Sequence, residues 1–139
     1  MKATFTIPGP PVGKQRARTV RTSSGKARSY TPTKTKAWET KCAVLARRHW
    51  RTPSCALVRL TVEAVKARPQ RLMRKADPDG RIRCGTTPDL DNITKAVGDA
   101  LNGICYGDDS QVVELVASKW YAARGEGPCV VVTIEEVTE

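Results

Sequence analysis

The alternation of apolar and polar residues along the chain predicts four β-strands. Residues 2–7, KATFTI, alternate and predict a short strand. The PGPP sequence at 8–11 ends it, because proline cannot continue a hydrogen-bonded ladder. Three longer segments rich in Val and Leu predict further strands: 54–67, 110–122 and 128–137. The short RGEG connection between the last two predicts an antiparallel hairpin.

Apolar residues that recur every three or four positions predict two helices. The first spans about 31–50 and opens with Thr31 and Pro32, an N-cap and first-turn pair. Its residues at helical spacing are Trp38, Cys42, Leu45 and His49. The second helix spans 89–101 and ends at Asn102–Gly103. Its apolar face consists of Ile93, Val97, Ala100 and Leu101.

Two basic segments between these elements, 13–31 and 68–85, predict loops. The second is long enough to indicate a function beyond connection. The order of elements is therefore β-α-β-α-β-β, and 139 residues suffice for one domain spanning 1–139. We expect an α/β (α+β) fold in which one mixed sheet carries two main helices. Two helices leave one face of such a sheet partly bare, and that face suits a second subunit.

The overall composition is that of an ordinary soluble globular protein, with 40% apolar and 27% charged residues. The apolar runs are too short to span a bilayer, and the N-terminus lacks the apolar stretch of a secretory signal. We therefore expect a cytoplasmic protein with no membrane partner. Five scattered cysteines and a single histidine indicate free thiols rather than a zinc site or a disulfide framework. No Gly-rich phosphate loop is present, and no organic cofactor is expected.

The charge of the chain is not that of an ordinary globular protein. It has 24 Lys and Arg residues and 14 Asp and Glu residues, which gives a net charge of +10. The positive residues concentrate in two stretches, 14–28 and 68–83. Basic clusters attract the phosphates of nucleic acids without reading their sequence. The alternative is that the charge only keeps the protein soluble, but its clustering favours a nucleic-acid partner.

Five aspartates nevertheless fall between positions 89 and 109. Asp89 stands where an N-cap would stand, and Asp91 lies four residues before Lys95, so the simple interpretation is a cap and a helical ion pair. The adjacent Asp108 and Asp109 fit this interpretation poorly, since a turn needs at most one acid. The chain returns from the second helix through a short loop, which can place them beside Asp89 and Asp91. Converging carboxylates in a basic protein need a counter-charge, and a hard divalent cation such as Mg²⁺ supplies it.

The motifs that contain these aspartates resemble those of a known family. They are PDLDNITKAVGDALNG at 88–103 and YGDDSQVVEL at 106–115, followed by Lys119. Together with IPGPPVGKQRAR at 7–18 and YTPTKTKAW at 30–38, they are similar to the RusA-like Holliday junction resolvases, small prokaryotic and phage endodeoxyribonucleases. The resemblance implies a homodimer that binds four-way DNA junctions in recombination and repair. It implies that the dimer nicks two strands symmetrically and uses magnesium.

Carried over position by position, the resemblance assigns metal binding to Asp89, Asp91 and Asp109, with Asp108 as an adjacent acid. It assigns the active-site lysine to Lys95, which would stabilise developing negative charge or orient the attacking water. The basic stretches are expected to bind the junction arms by phosphate contacts. The candidate contacts are Lys14, Arg16, Arg18, Arg71, Arg74, Lys75 and Lys119. Two alternatives stay open: a DNA-binding module without catalysis, and a magnesium nuclease for flaps or replication forks.

Overall fold

The computed structural model describes residues 1–14, 18–21, 25, 27–30 and 33–138. The strands are β1 (Lys2–Pro8), β2 (Arg18–Arg21), β3 (Ala27–Tyr30), β4 (Val58–Lys66), β5 (Ile82–Arg83), β6 (Val112–Tyr121) and β7 (Cys129–Glu136). The helices are α1 (Thr33–His49) and α2 (Leu90–Leu101), and two short 3₁₀ turns span Gln70–Leu72 and Asp109–Gln111. The predicted α+β class, with one mixed sheet and two helices, is confirmed. The predicted N-cap pair before α1 lies outside the described residues.

The predicted hairpin between the last two strands is wrong. The main sheet has five strands in the order β1-β7-β4-β6-β5, so β4 lies between β6 and β7. β4 pairs in parallel with β6 and antiparallel with β7. Neighbouring strands are about 4.8 Å apart, so a connection that passes the end of one strand spans only about 10 Å. A short turn therefore does not distinguish a hairpin from a crossing of this kind.

Both helices pack into one core on the same face of the sheet. Trp38 and Cys42 of α1 and Ile93 and Val97 of α2 are buried in one cluster with the apolar side chains of β4. The predicted apolar faces of the two helices are thereby confirmed, with the exception of His49. Its ring is exposed and stacks on Phe5 with 5.7 Å between ring centroids.

The opposite face of the sheet carries mostly polar side chains. The hydroxyls of Thr4 and Thr133 are 3.0 Å apart on it, and Arg59 forms an ion pair with Glu135 at 3.0 Å. One end of this face is covered by the segment 67–85, whose Arg81 forms an ion pair with Glu63 at 2.8 Å. The rest has no covering helix in the described part of the chain, as the sequence predicts.

The predicted loop at 13–31 contains two strands. β2 and β3 pair antiparallel and form a separate two-stranded sheet. These strands are four residues each and contain few apolar side chains, so they give almost no periodic signal in the sequence.

The predicted free thiols are confirmed. All five cysteines are free; Cys42, Cys84, Cys105 and Cys129 are buried, and only Cys55 is exposed. Within the described ranges, no helix has the length and hydropathy needed to cross a bilayer.

Candidate active site

The segment that leads into α2 is fixed by two lysines from neighbouring strands. Lys119 on β6 donates from Nζ to the carbonyl oxygens of Thr86 at 2.6 Å and Pro88 at 3.0 Å. Lys66 on β4 donates from Nζ to Thr86 Oγ1 at 2.9 Å and to the carbonyl oxygen of Thr87. The sheet therefore determines where α2 begins and where its N-cap residue, Asp89, is placed. The Asp89 side chain makes no capping hydrogen bond, so its carboxylate is not used by the helix terminus.

Asp91 and Asp109 meet in one cavity, although they are distant in the sequence. This cavity of about 290 Å³ lies between α2 and the start of β6, and Lys95 lines it as well. Asp109 stands on the 3₁₀ turn before β6, where Asn102 Nδ2 donates to its Oδ1 at 3.0 Å. The structure thus brings together three of the residues that the sequence identified: two acids and the lysine.

Asp89 lies next to this cavity rather than in it. It lines an adjacent cavity of about 350 Å³, together with Thr87 and Asn92. Among the residues described, no three of the His, Cys, Asp and Glu side chains are close enough to form a ready metal site. Mg²⁺ in proteins usually retains several waters and binds one or two carboxylates together with substrate phosphates. The pair Asp91 and Asp109 has the oxygen donors that such a site requires.

The turn that carries Asp109 is held by Gln111. Its Oε1 accepts hydrogen bonds from the N–H groups of Gly107 at 2.9 Å and Asp108 at 3.0 Å. Its Nε2 donates to the carbonyl oxygens of Ser54 and Ala56, both at 2.8 Å. This role was not predicted from the sequence, although the glutamine belongs to the DDSQ motif.

Asp108 has a local partner within the same turn. Its Oδ2 accepts a hydrogen bond from Ser110 Oγ at 2.8 Å. The geometry therefore places Asp108 in the structure of the turn, and its predicted participation in metal binding stays a prediction.

Lys95 forms an ion pair with Asp99 at 3.4 Å rather than with Asp91. Asp99 also pairs with Lys14 at 3.1 Å, and Lys14 pairs with Glu39 of α1 at 2.6 Å. Asp99 lines the same cavity as Asp91 and Asp109, and the sequence analysis did not single it out. The signal was present, because 91, 95 and 99 are spaced by four and share one helix face. The Lys95 side chain is 61% exposed, so this pair is weak and leaves the ammonium accessible.

The cavity has a negative electrostatic environment. Burial raises the pKa of the Tyr106 hydroxyl well above its usual value, and the charges of Asp109 and Asp99 raise it further. That hydroxyl donates to the carbonyl oxygen of Gly98 at 2.8 Å. At Lys14, burial lowers the pKa, but hydrogen bonds to Glu39 and Asp99 outweigh this and raise it overall. Lys14 therefore stays charged and ties α1 to α2.

The predicted DNA contacts differ in their surroundings. Arg16 and the side chain of Arg18 lie outside the described residues. Lys14 and Lys119 have the intramolecular partners given above, and Arg71 lies over the Tyr121 ring with its Cζ 5.7 Å from the centroid. Arg74 and Lys75 are exposed, and the Arg74 side chain is 77% accessible beside Asp77. All of these remain predictions, and Arg74 and Lys75 are the most available for phosphates.

Comparison with known proteins adds two findings. The family model described as endodeoxyribonuclease RusA matches residues 8–135. The chain is also 36% identical over 141 residues to a Bacillus subtilis (strain 168) protein named "Uncharacterized protein YqaN". That alignment covers 96% of each of the two chains. Both matches include the residues that line the cavity and the two basic segments of the sequence.

Proposed function

Because the chain belongs to the RusA family of endodeoxyribonucleases, we propose that it is a magnesium-dependent nuclease that resolves four-way DNA junctions by paired symmetric nicks. The observation that carries this proposal is the meeting of Asp91 and Asp109 with Lys95 in one cavity of a chain with net charge +10. This activity belongs to DNA recombination and repair in the cytoplasm of a prokaryotic or phage-infected cell. No organic cofactor takes part in it.

The carboxylates of Asp91 and Asp109 would hold Mg²⁺ in the cavity, and Asp89, exposed at the start of α2, is the third carboxylate of the proposed site. The metal would supply charge neutralisation at the phosphate and an acidified water. Lys95 has an accessible ammonium at the same cavity, and it stabilises the negative charge that develops on the phosphate oxygens. Asp99, on the next helical turn, is the ion-pair partner of this ammonium in the structure.

Exposed basic residues hold the arms of the junction. Arg74 and Lys75 on the segment 67–85 are the described candidates that are most accessible. Contacts to phosphates fix position and orientation but carry no sequence information. Recognition of the junction therefore depends on its shape.

A cleavage assay tests the activity. The purified protein is incubated with a labelled four-way junction in Mg²⁺ or in a chelator, beside a flap, a fork and a linear duplex. We expect two symmetric nicks in the junction that require Mg²⁺. Binding without cleavage would identify a non-catalytic DNA-binding module, and faster cleavage of flaps or forks would identify a nuclease for other branched DNA.

Paired nicks require two active sites, and we propose that a homodimer provides them. β6 lies near the edge of the sheet, and within the described residues β5 pairs with it only at Trp120 and Tyr121. The preceding part of β6 exposes large apolar side chains: Val113 at 50%, Leu115 at 54% and Val116 at 55%. An uncovered apolar edge strand promotes unwanted pairing, and native proteins normally cover it. Leu115 also lines the cavity that contains Asp91 and Asp109, so a subunit placed here would lie beside the proposed active site.

Substituting lysine for Val113 and Val116 is expected to convert a dimer into a monomer, because the new charges would be buried at the edge. Val44→Lys is the matched control, since Val44 is 43% exposed on α1, far from this edge in the fold. The measurement is molar mass by light scattering across a range of concentrations. If the wild-type protein is monomeric, the dimer proposal is wrong. If the double variant is still dimeric, the interface lies on another surface of the subunit.

A further inference from the structure

Two neighbouring cavities form a groove that ends at Asp89. The first, of about 350 Å³, contains Asp89, and the second, of about 300 Å³, reaches Trp38 and Lys41 of α1. They share three lining residues: Pro11, Val12 and Lys34. The groove therefore runs from the first turns of α1, along the chain that follows β1, to the start of α2.

The wall formed by residues 9–14 is fixed at both ends. Gly9 adopts a φ of +102°, and its N–H donates to the carbonyl oxygen of Pro128 at 3.0 Å. Gly13 packs so closely on α2 that an added Cβ would lie 3.1 Å from Pro88 Cβ. The next N–H, of Lys14, donates to the carbonyl oxygen of Asn92 at 2.9 Å. The groove is therefore preformed.

The lysines of the groove differ in their partners. Lys14 is bound by two carboxylates, and Lys41 donates to the carbonyl oxygen of Pro8. Lys34 is exposed and lines both cavities, and its ammonium forms no ion pair with any residue that the structure describes. The groove thus has a positive charge in its middle that no described carboxylate neutralises, and a carboxylate of the candidate site at its end.

We propose that this groove takes the DNA strand on one side of the phosphate that is cut. Lys34 contacts a phosphate of that strand, and Pro11 and Val12 pack against its sugars. This inference rests on the proposed nuclease function, since it uses Asp89 to mark the end of the path. A row of phosphates suits this arrangement, because it needs a cation along its length and a metal site at the reacting position. The path also gives Lys34 a role that neither basic segment accounts for.

The test compares Lys34→Ala with Lys36→Ala. Lys36 is exposed two residues along the same helix and is not among the residues that line either cavity, so it controls for the loss of one charge. Binding of a labelled four-way junction is measured by anisotropy in a chelator over a range of salt concentrations. Each phosphate contact contributes about 0.9 to the slope of log K against log salt, so Lys34→Ala is expected to lower the slope by about one unit for each subunit that binds the junction. Lys36→Ala is expected to leave it unchanged.

Equal salt-dependence slopes for the two variants would show that the groove does not bind the DNA strand, and the proposal would be wrong. This outcome is distinguishable from failure of the nuclease proposal, because cleavage by the wild-type protein is measured separately. If the wild-type protein does not cut DNA but only Lys34→Ala lowers the slope, the groove is still a DNA-binding site. Unfolding monitored by circular dichroism verifies that both variants are folded.

Discussion

Replacing Asp91 or Asp109 by asparagine is expected to abolish junction cleavage while DNA binding is kept or strengthened. Asparagine has almost the same shape as aspartate but no charge, so each change removes a proposed metal ligand with little effect on packing. Loss of a residue that only supports a ligand costs about 10–100-fold, and loss of the ligand itself is expected to exceed this. Binding is retained because each variant removes a negative charge beside the phosphates. The measurement is the rate of nicking at saturating protein, with the binding constant determined in a chelator.

Asp79→Asn is the control for these variants. Its carboxylate is 93% exposed and pairs with Arg124 at 2.9 Å on the segment 67–85, outside the cavity. It is expected to cut junctions at the wild-type rate. Asp89→Asn tests the neighbouring carboxylate, and its loss of cleavage is expected if Asp89 is the third metal ligand, as proposed. Full cleavage by all three variants at 89, 91 and 109 would exclude the assignment of the site.

Raising the salt concentration from 50 to 200 mM is expected to weaken junction binding by about 10³–10⁵-fold, the range for six to ten phosphate contacts. The net charge of +10 and the exposed Arg74 and Lys75 give the reason, since each phosphate contact releases bound counter-ions. Anisotropy titrations of the Asp91→Asn variant measure binding without cleavage.

The double variant Arg74→Ala, Lys75→Ala is expected to have a slope that is smaller by about two units for each subunit that binds the junction. Val44→Ala changes an exposed residue without a charge and serves as its control. An affinity that does not depend on salt would contradict phosphate contact altogether.

The helices were predictable because their signals are local. The face of α2 that contains Ile93 and Val97 is specified by spacing within one turn, and both side chains are buried. The convergence of Asp91 and Asp109 followed from the short return of the chain after α2. The position of Asp89 in the adjacent cavity was not predictable, because it depends on how Lys119 holds the preceding loop.

The order of the strands, and which basic side chains are available to bind DNA, were less predictable because both depend on the tertiary structure. The sequence between β6 and β7 fits a hairpin, yet both strands pair with β4. Counting basic residues also cannot separate paired side chains from available ones. Arg81 forms ion pairs with Glu63 and Glu126, and Arg68 donates to the carbonyl oxygen of Gly80, so both stabilise their own segment. The same stretch leaves Arg74 accessible.

The distribution of the thiols provides a place to attach a probe. Burial raises the pKa values of Cys42 and Cys105 to about 12, which keeps both in the unreactive thiol form. Cys55 is the one exposed thiol of the five. It stands between Ser54 and Ala56, whose carbonyl oxygens bind the glutamine that holds the turn of Asp109. A maleimide dye added to the folded wild-type protein is therefore expected to react fastest at Cys55, next to this turn, and its fluorescence would follow the turn without any engineered cysteine.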